Sequence, residues 1–114
     1  MKILLTSFLL CWSVSSYASW TDTGGQVVSL VTYAHTNTIL VTLSKDGTDV
    51  EACSNKKTFA ISKDIGEEQR TRMYSMLLAA QAVGRDVVVS YNRVGNCEPW
   101  DANPSGYRKI VRLR

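Results

Sequence analysis

Histidine is almost absent from this chain: His35 is the only one in 114 residues. Neither a histidine-rich metal centre nor a pair of imidazoles exchanging a proton can be built from it. Proline is nearly as scarce, and both prolines, Pro99 and Pro104, fall in one loop-like segment. No glycine-rich phosphate loop occurs, because Gly24-Gly25 lacks both the spacing and the Lys-Ser/Thr such a loop uses. Charge of one sign is also lacking, since 13 basic residues face 10 acidic ones. Nucleic-acid binding usually asks for a clear basic stripe, so no nucleic-acid partner is expected.

What is present begins with a leader. Lys2 precedes an apolar run over residues 3–14 and the small-residue pattern Ser16-Tyr17-Ala18. Residues 1–18 therefore read as a signal peptide cleaved after Ala18, which predicts a secreted or periplasmic protein. A spanning helix is the competing reading. Thr6, Ser7 and Ser13 interrupt the run, and it falls short of the roughly 20 apolar residues a bilayer needs, so no membrane span is expected. Of three cysteines, Cys11 leaves with the leader, and Cys53 and Cys97 remain as an even pair. In an oxidising compartment these two are expected to form a disulfide.

One helix stands out, over residues 64–84. Asp64 followed by Glu67 is an acidic capping pattern, and Gly84 supplies a left-handed stop. Everything else reads as short strands. Residues 26–34 and 38–44 form a hairpin about His35-Thr36-Asn37, a third strand covers 48–53 and resumes at 58–61, and a fourth follows the helix in Val87-Val88-Val89. Residues 95–106 read as a long loop and 107–113 as the last strand, with Arg108, Arg112 and Arg114 on one face. That face reads either as a solvated edge guarded by charge or as a contact for an anionic partner. No repeat or linker interrupts residues 19–114, so one domain is expected. The order βββαββ defines a mainly β fold with one helix, an α+β chain with one disulfide, and is that of a five-stranded OB-fold barrel.

The leader, the Trp20-Thr21 start of the mature chain, the cysteine pair and the Met73-Tyr74-Ser75-Met76-Leu77-Leu78-Ala79-Ala80 helix followed by Val87-Val88-Val89 carry a resemblance. The chain resembles small exported bacterial proteins, the B subunits of AB5-type toxins, especially the subtilase-cytotoxin and pertussis-like branch. The resemblance spans nearly the whole mature chain and is carried mostly by topology. It implies a ring-forming, glycan-binding module, and with it a partner enzyme subunit.

In an OB-fold the ligand face is built from the second and third strands and the loops joining strands 1 to 2 and 4 to 5. Here those loops carry His35, Thr36 and Asn37 on one side and Arg93, Glu98, Trp100, Asp101 and Asn103 on the other. An aromatic plate ringed by amide, carboxylate and guanidinium groups suits a sugar, with Arg93 able to grip an acidic one. The expected ligand-binding residues are thus Trp100, Asp101, Asn103, Arg93, Asn37 and His35, and no cofactor or metal is expected. Other readings stay open. Trp100 serves equally to close the barrel, His35 to make a turn, and Tyr33, Tyr91 and Tyr107 to pack.

The helix carries Met76, Leu77 and Leu78 in a row, which sweep about 200° where one core needs about a 100° stripe. Either a loop of the same chain or a neighbouring subunit must cover the excess, the latter making a homo-oligomer through residues 64–84. The function expected first is non-catalytic binding of a glycan or glycoprotein. A protein-interaction module of the cell envelope, an inhibitor or accessory subunit, is the alternative. A small hydrolase using scattered carboxylates such as Asp86, Glu98 and Asp101 comes third.

Overall fold

The computed structural model describes residues 20–48 and 52–114. The expected leader at 1–18, and residues 49–51 of the expected third strand, lie outside the described residues. Among those described, the chain is mainly β with one helix: β1 Trp20–Tyr33, β2 Thr36–Leu43, β3 Thr58–Ile61, α1 Glu67–Val83, β4 Asp86–Asn92, β5 Cys97–Trp100, β6 Asn103–Lys109 and β7 Arg112–Leu113. The strands form one seven-stranded sheet in the order β5-β6-β3-β2-β1-β4-β7. Two strands more than the sequence predicts follow the helix, and β3 pairs in parallel with β6.

β1 runs 14 residues because it changes partner midway. Trp20 to Gln26 pair with β4, while Val27 to Tyr33 pair with β2. Asp22, Gly24 and Gly25 read locally as turn residues, but at this crossover the backbones crowd together. A Cβ on the buried Gly25 would lie 3.0 Å from Ser44 Oγ, and that hydroxyl accepts from the Gln26 N–H at 2.9 Å. Tertiary pairing overrides the local signal.

The expected last strand is divided. Residues up to Lys109 belong to β6, and Arg112 and Leu113 return to β4 as β7. This separates the three arginines expected on one exposed face. Arg108 is wholly buried; its Nη1 donates to the carbonyls of Asn92 and Gly95 at 2.9 Å each, and its guanidinium lies 5.6 Å from the Tyr91 ring centre. Arg112 and Arg114 stay exposed around Asp22, at 3.6 and 3.3 Å.

The helix starts at Glu67, after Gly66, with no side-chain cap bond, so the expected cap at Asp64 is not made. The Asp64 carboxylate turns instead to the Lys109 ammonium at 3.4 Å. Glu67 and Glu68 still place negative charge in the first turn, where the helix dipole favours it. At the other end Gly84 is left-handed at φ 68°, and the N–H of Arg85 reaches back to the Ala80 carbonyl. Leu77 and Ala80 enter the core beside Val41, Leu43, Phe59, Ile61, Val87, Val89 and Tyr91, while Met76, Leu78 and Val83 remain exposed. No helix among the described residues is long and apolar enough to cross a membrane.

Cys53 and Cys97 are bonded, with Cα atoms 5.7 Å apart and a sequence separation of 44. In the chain-entropy account a loop of this length stabilises by about 4 kcal/mol. Replacing both cysteines by serine should lower the unfolding free energy by about that amount in urea titrations. A change under about 1 kcal/mol would mean the loop is already restricted in the unfolded chain.

Asp22 has its carboxyl held below its ordinary range, first by the hydrogen bond from Ser90 and then by the Arg112 and Arg114 charges, against the opposing effect of desolvation. A group depressed in the folded state stabilises above its unfolded value of 3.8 and loses that contribution as the pH falls. Asp22→Asn should therefore flatten the acid side of the stability profile below about pH 5, as read by thermal melts across pH. An unchanged acid limb would count against the Asp22 knot.

Candidate functional site

Residues 95–106, expected as a loop, fold into the hairpin of β5 and β6, with a turn at Asp101 and Ala102. Two features hid it. Pro99 lies on β5, an edge strand that tolerates a missing donor, and Pro104 lies before the part of β6 that pairs with β3. Asp101 adopts φ 50°, a conformation Asp tolerates better than most residues. The hairpin places Trp100 at its end, half-buried, beside the turn of the β1–β2 hairpin.

Three rings surround the indole. Tyr33 lies 4.9 Å away between centroids, Tyr107 5.7 Å and His35 6.2 Å, with the last two edge-on. Beneath it, β6 comes so close that a Cβ on Gly106 would meet Trp100 Cβ at 2.9 Å and the Glu98 carbonyl at 3.0 Å. Aromatic groups at these separations attract through their quadrupoles as well as through burial, which fixes the plate in place.

The supporting residue is Glu98, wholly buried two positions before Trp100. Its Oε1 accepts from Thr38 Oγ1 at 2.9 Å and from the Lys63 backbone N–H at 3.4 Å. Its Oε2 has no hydrogen-bond donor among the described residues and relies on the Lys109 ammonium at 4.0 Å. One carboxylate thus ties β5 to the start of β2 and to the β3–α1 connection. Burying that charge is costly unless its partners are held, so these three segments are locked together.

Two hollows flank Trp100. One, of about 230 Å³, is lined by His35, Thr36, Lys63, Pro99, Trp100 and Asp101. The other, of about 130 Å³, is lined by Ser54, Asn55, Trp100, Asn103, Gly106 and Tyr107. Among the described residues Lys63 and Asp101 form no ion pair in the first hollow. A wider and more apolar hollow of about 400 Å³ lies elsewhere, between the start of α1 and residues 109–111.

The six expected binding residues divide. His35, Trp100 and Asp101 share the first hollow, and Asn103 stands in the second, where its amide donates to Ser54 Oγ at 2.9 Å. Asn37 is exposed and lines neither, because alternation along β2 sends it to the face opposite Thr36 and Thr38. Arg93 also lines neither. It follows β4, whose end pairs with the start of β1, and its Nε donates to Thr21 Oγ1 at 3.2 Å. Lys63 takes the place intended for Arg93. Only its position in the β3–α1 connection brings it here, and the sequence carries no local sign of that. Tyr33 and Tyr107, read as packing residues, join the plate, and Glu98, read among the loop groups, sits beneath it.

Comparison with protein-family models, curated proteins and solved structures finds no match for this chain.

Adding a methyl at Gly106 should move the indole. Gly106→Ala is expected to cost about 1–3 kcal/mol of stability and to change the Trp100 emission spectrum. Thr38→Val, which removes a hydrogen bond to a buried carboxylate, should cost about 1.5–3 kcal/mol in the same denaturation assay. Values near zero in both would separate the hairpin from the buried carboxylate.

Proposed function

We propose that the protein is an exported, non-catalytic glycan-binding module built on an OB-type barrel. The observation that carries this reading is the half-buried Trp100, edged by Tyr33, His35 and Tyr107 and lining two hollows that also hold polar side chains. A pyranose presents an apolar C–H face and a rim of hydroxyls. An indole plate beside ammonium, carboxylate, amide and hydroxyl groups complements both. The hollow lined by His35 and Lys63 holds one carboxylate, Asp101, whereas glycoside hydrolysis ordinarily takes two flanking the scissile bond.

The barrel reading is supported by pairing rather than by strand count. β1, β2 and β3 form a meander, β1 takes β4 on its other edge, β3 runs parallel with β6, and the helix lies between β3 and β4. On this reading β5 and β7 are short additions to five principal strands, and Trp100 arrives on the connection between the fourth and the fifth. That connection and the first hairpin turn are where OB-folds bind their ligands. The resemblance to AB5-type B subunits, and a partner enzyme subunit with it, belongs to the same proposal.

A protein contact is favoured separately by the helix. Met76, Leu78 and Val83 expose 40%, 46% and 77% of their surface, and a neighbouring copy packed on them would remove apolar area from water. Light scattering on the native protein tests this, with a multiple of the protomer mass expected and a monomer overturning it.

For the glycan reading the test is an array of mammalian and bacterial glycans probed with the wild-type chain and Trp100→Ala. Binding by the wild type and a loss of about tenfold or more in the variant are expected. Wild-type protein that binds no glycan overturns the reading.

A further inference from the structure

We propose that the two hollows beside Trp100 are consecutive subsites of one groove, so that the ligand is a chain of at least two linked sugars with the indole as the wall common to both. This rests on the glycan reading above. Neither hollow suffices alone. At about 230 and 130 Å³ each lies below the roughly 300 Å³ at which small-molecule pockets begin, and together they pass it. The indole lines both, so a ligand long enough to fill both hollows would rest on the same ring.

The two sides differ in chemistry. Lys63 and Asp101 put both signs of charge in the larger hollow, whereas Ser54, Asn55, Asn103 and Tyr107 give the smaller one neutral hydrogen-bonding groups only. Several of these are already oriented. Asn55 Oδ1 accepts from the N–H groups of Lys57 and Thr58 at 3.0 and 2.9 Å, and Asn103 is held between Ser54 and the Ser105 N–H. Asn55 and Tyr107 both line the smaller hollow, and among the described residues the Asn55 amide NH2 and the Tyr107 hydroxyl form no hydrogen bond. The Asn55 amide, held through its oxygen with its NH2 left over, is preorganised for a sugar hydroxyl. The Cys53–Cys97 bond holds the segment carrying Ser54 and Asn55 against β5, which carries Trp100. The larger hollow accordingly takes the unit with a charged or amide substituent, and the smaller a neutral unit.

The test is titration calorimetry with galactose, N-acetylglucosamine and glucuronic acid, each as monosaccharide and as β1,4-linked di- and trisaccharide. Wild-type protein should bind at least one disaccharide series about tenfold more tightly than its monosaccharide. Asn55→Asp keeps the acceptor that orders the turn, and Tyr107→Phe keeps the ring. Each should reduce the gain on passing from one unit to two while leaving the affinity for monomeric N-acetylglucosamine or glucuronic acid, which the larger hollow takes, within about twofold. Equal affinity for mono- and disaccharide, or equal loss on both in the variants, overturns the two-subsite proposal and leaves the glycan reading standing. Failure to bind any of these sugars, together with silence on the wider array, overturns both.

Discussion

A single carboxylate placed out of water governs the geometry of this protein's most distinctive surface. Glu98 is wholly buried and must find its compensation from three directions: the Thr38 hydroxyl on β2, the Lys63 backbone on the β3–α1 connection, and the Lys109 ammonium at the end of β6. None of these segments can drift without leaving a buried charge uncompensated, which is far more costly than losing an exposed pair. Trp100 stands two residues from this anchor, so the electrostatics of the interior become the positional accuracy of the surface.

The disulfide completes the same corner from the other side. It fixes β5, a four-residue edge strand with little ladder of its own, to a segment without regular structure. A short edge strand and an irregular loop are weak supports for an exposed aromatic surface taken singly. Joined covalently, and with Gly106 allowing β6 to close beneath the indole, they become a wall.

Much of the architecture was legible in the residues. The helix with its left-handed stop at Gly84, the first hairpin, the Val87-Val88-Val89 strand and the cysteine pair each carry a local signal that the tertiary structure keeps. What was not legible depended on partners remote in sequence. The glycines of β1 look like a turn until β4 lies beside them, and Pro99 and Pro104 mask a hairpin that places each proline where no donor is needed. The candidate site follows the same division. His35, Trp100 and Asp101 came from turns recognisable by composition, whereas Lys63 arrives through the path of the chain and Arg93 is drawn away by strand pairing. Asn37 was misplaced by one residue of alternation, which on a strand reverses the face.

The change of partner along β1 bears on how the molecule is assembled. Its second half can pair at once with β2, its neighbour in the chain, but its first half must await β4, and Asp22 meets Arg114 only across 92 positions. Closing the sheet between the first half of β1 and β4 therefore spans a far longer loop than the first hairpin and carries the larger entropic cost. Arg112 and Arg114, paired with Asp22, add charge across that same long closure.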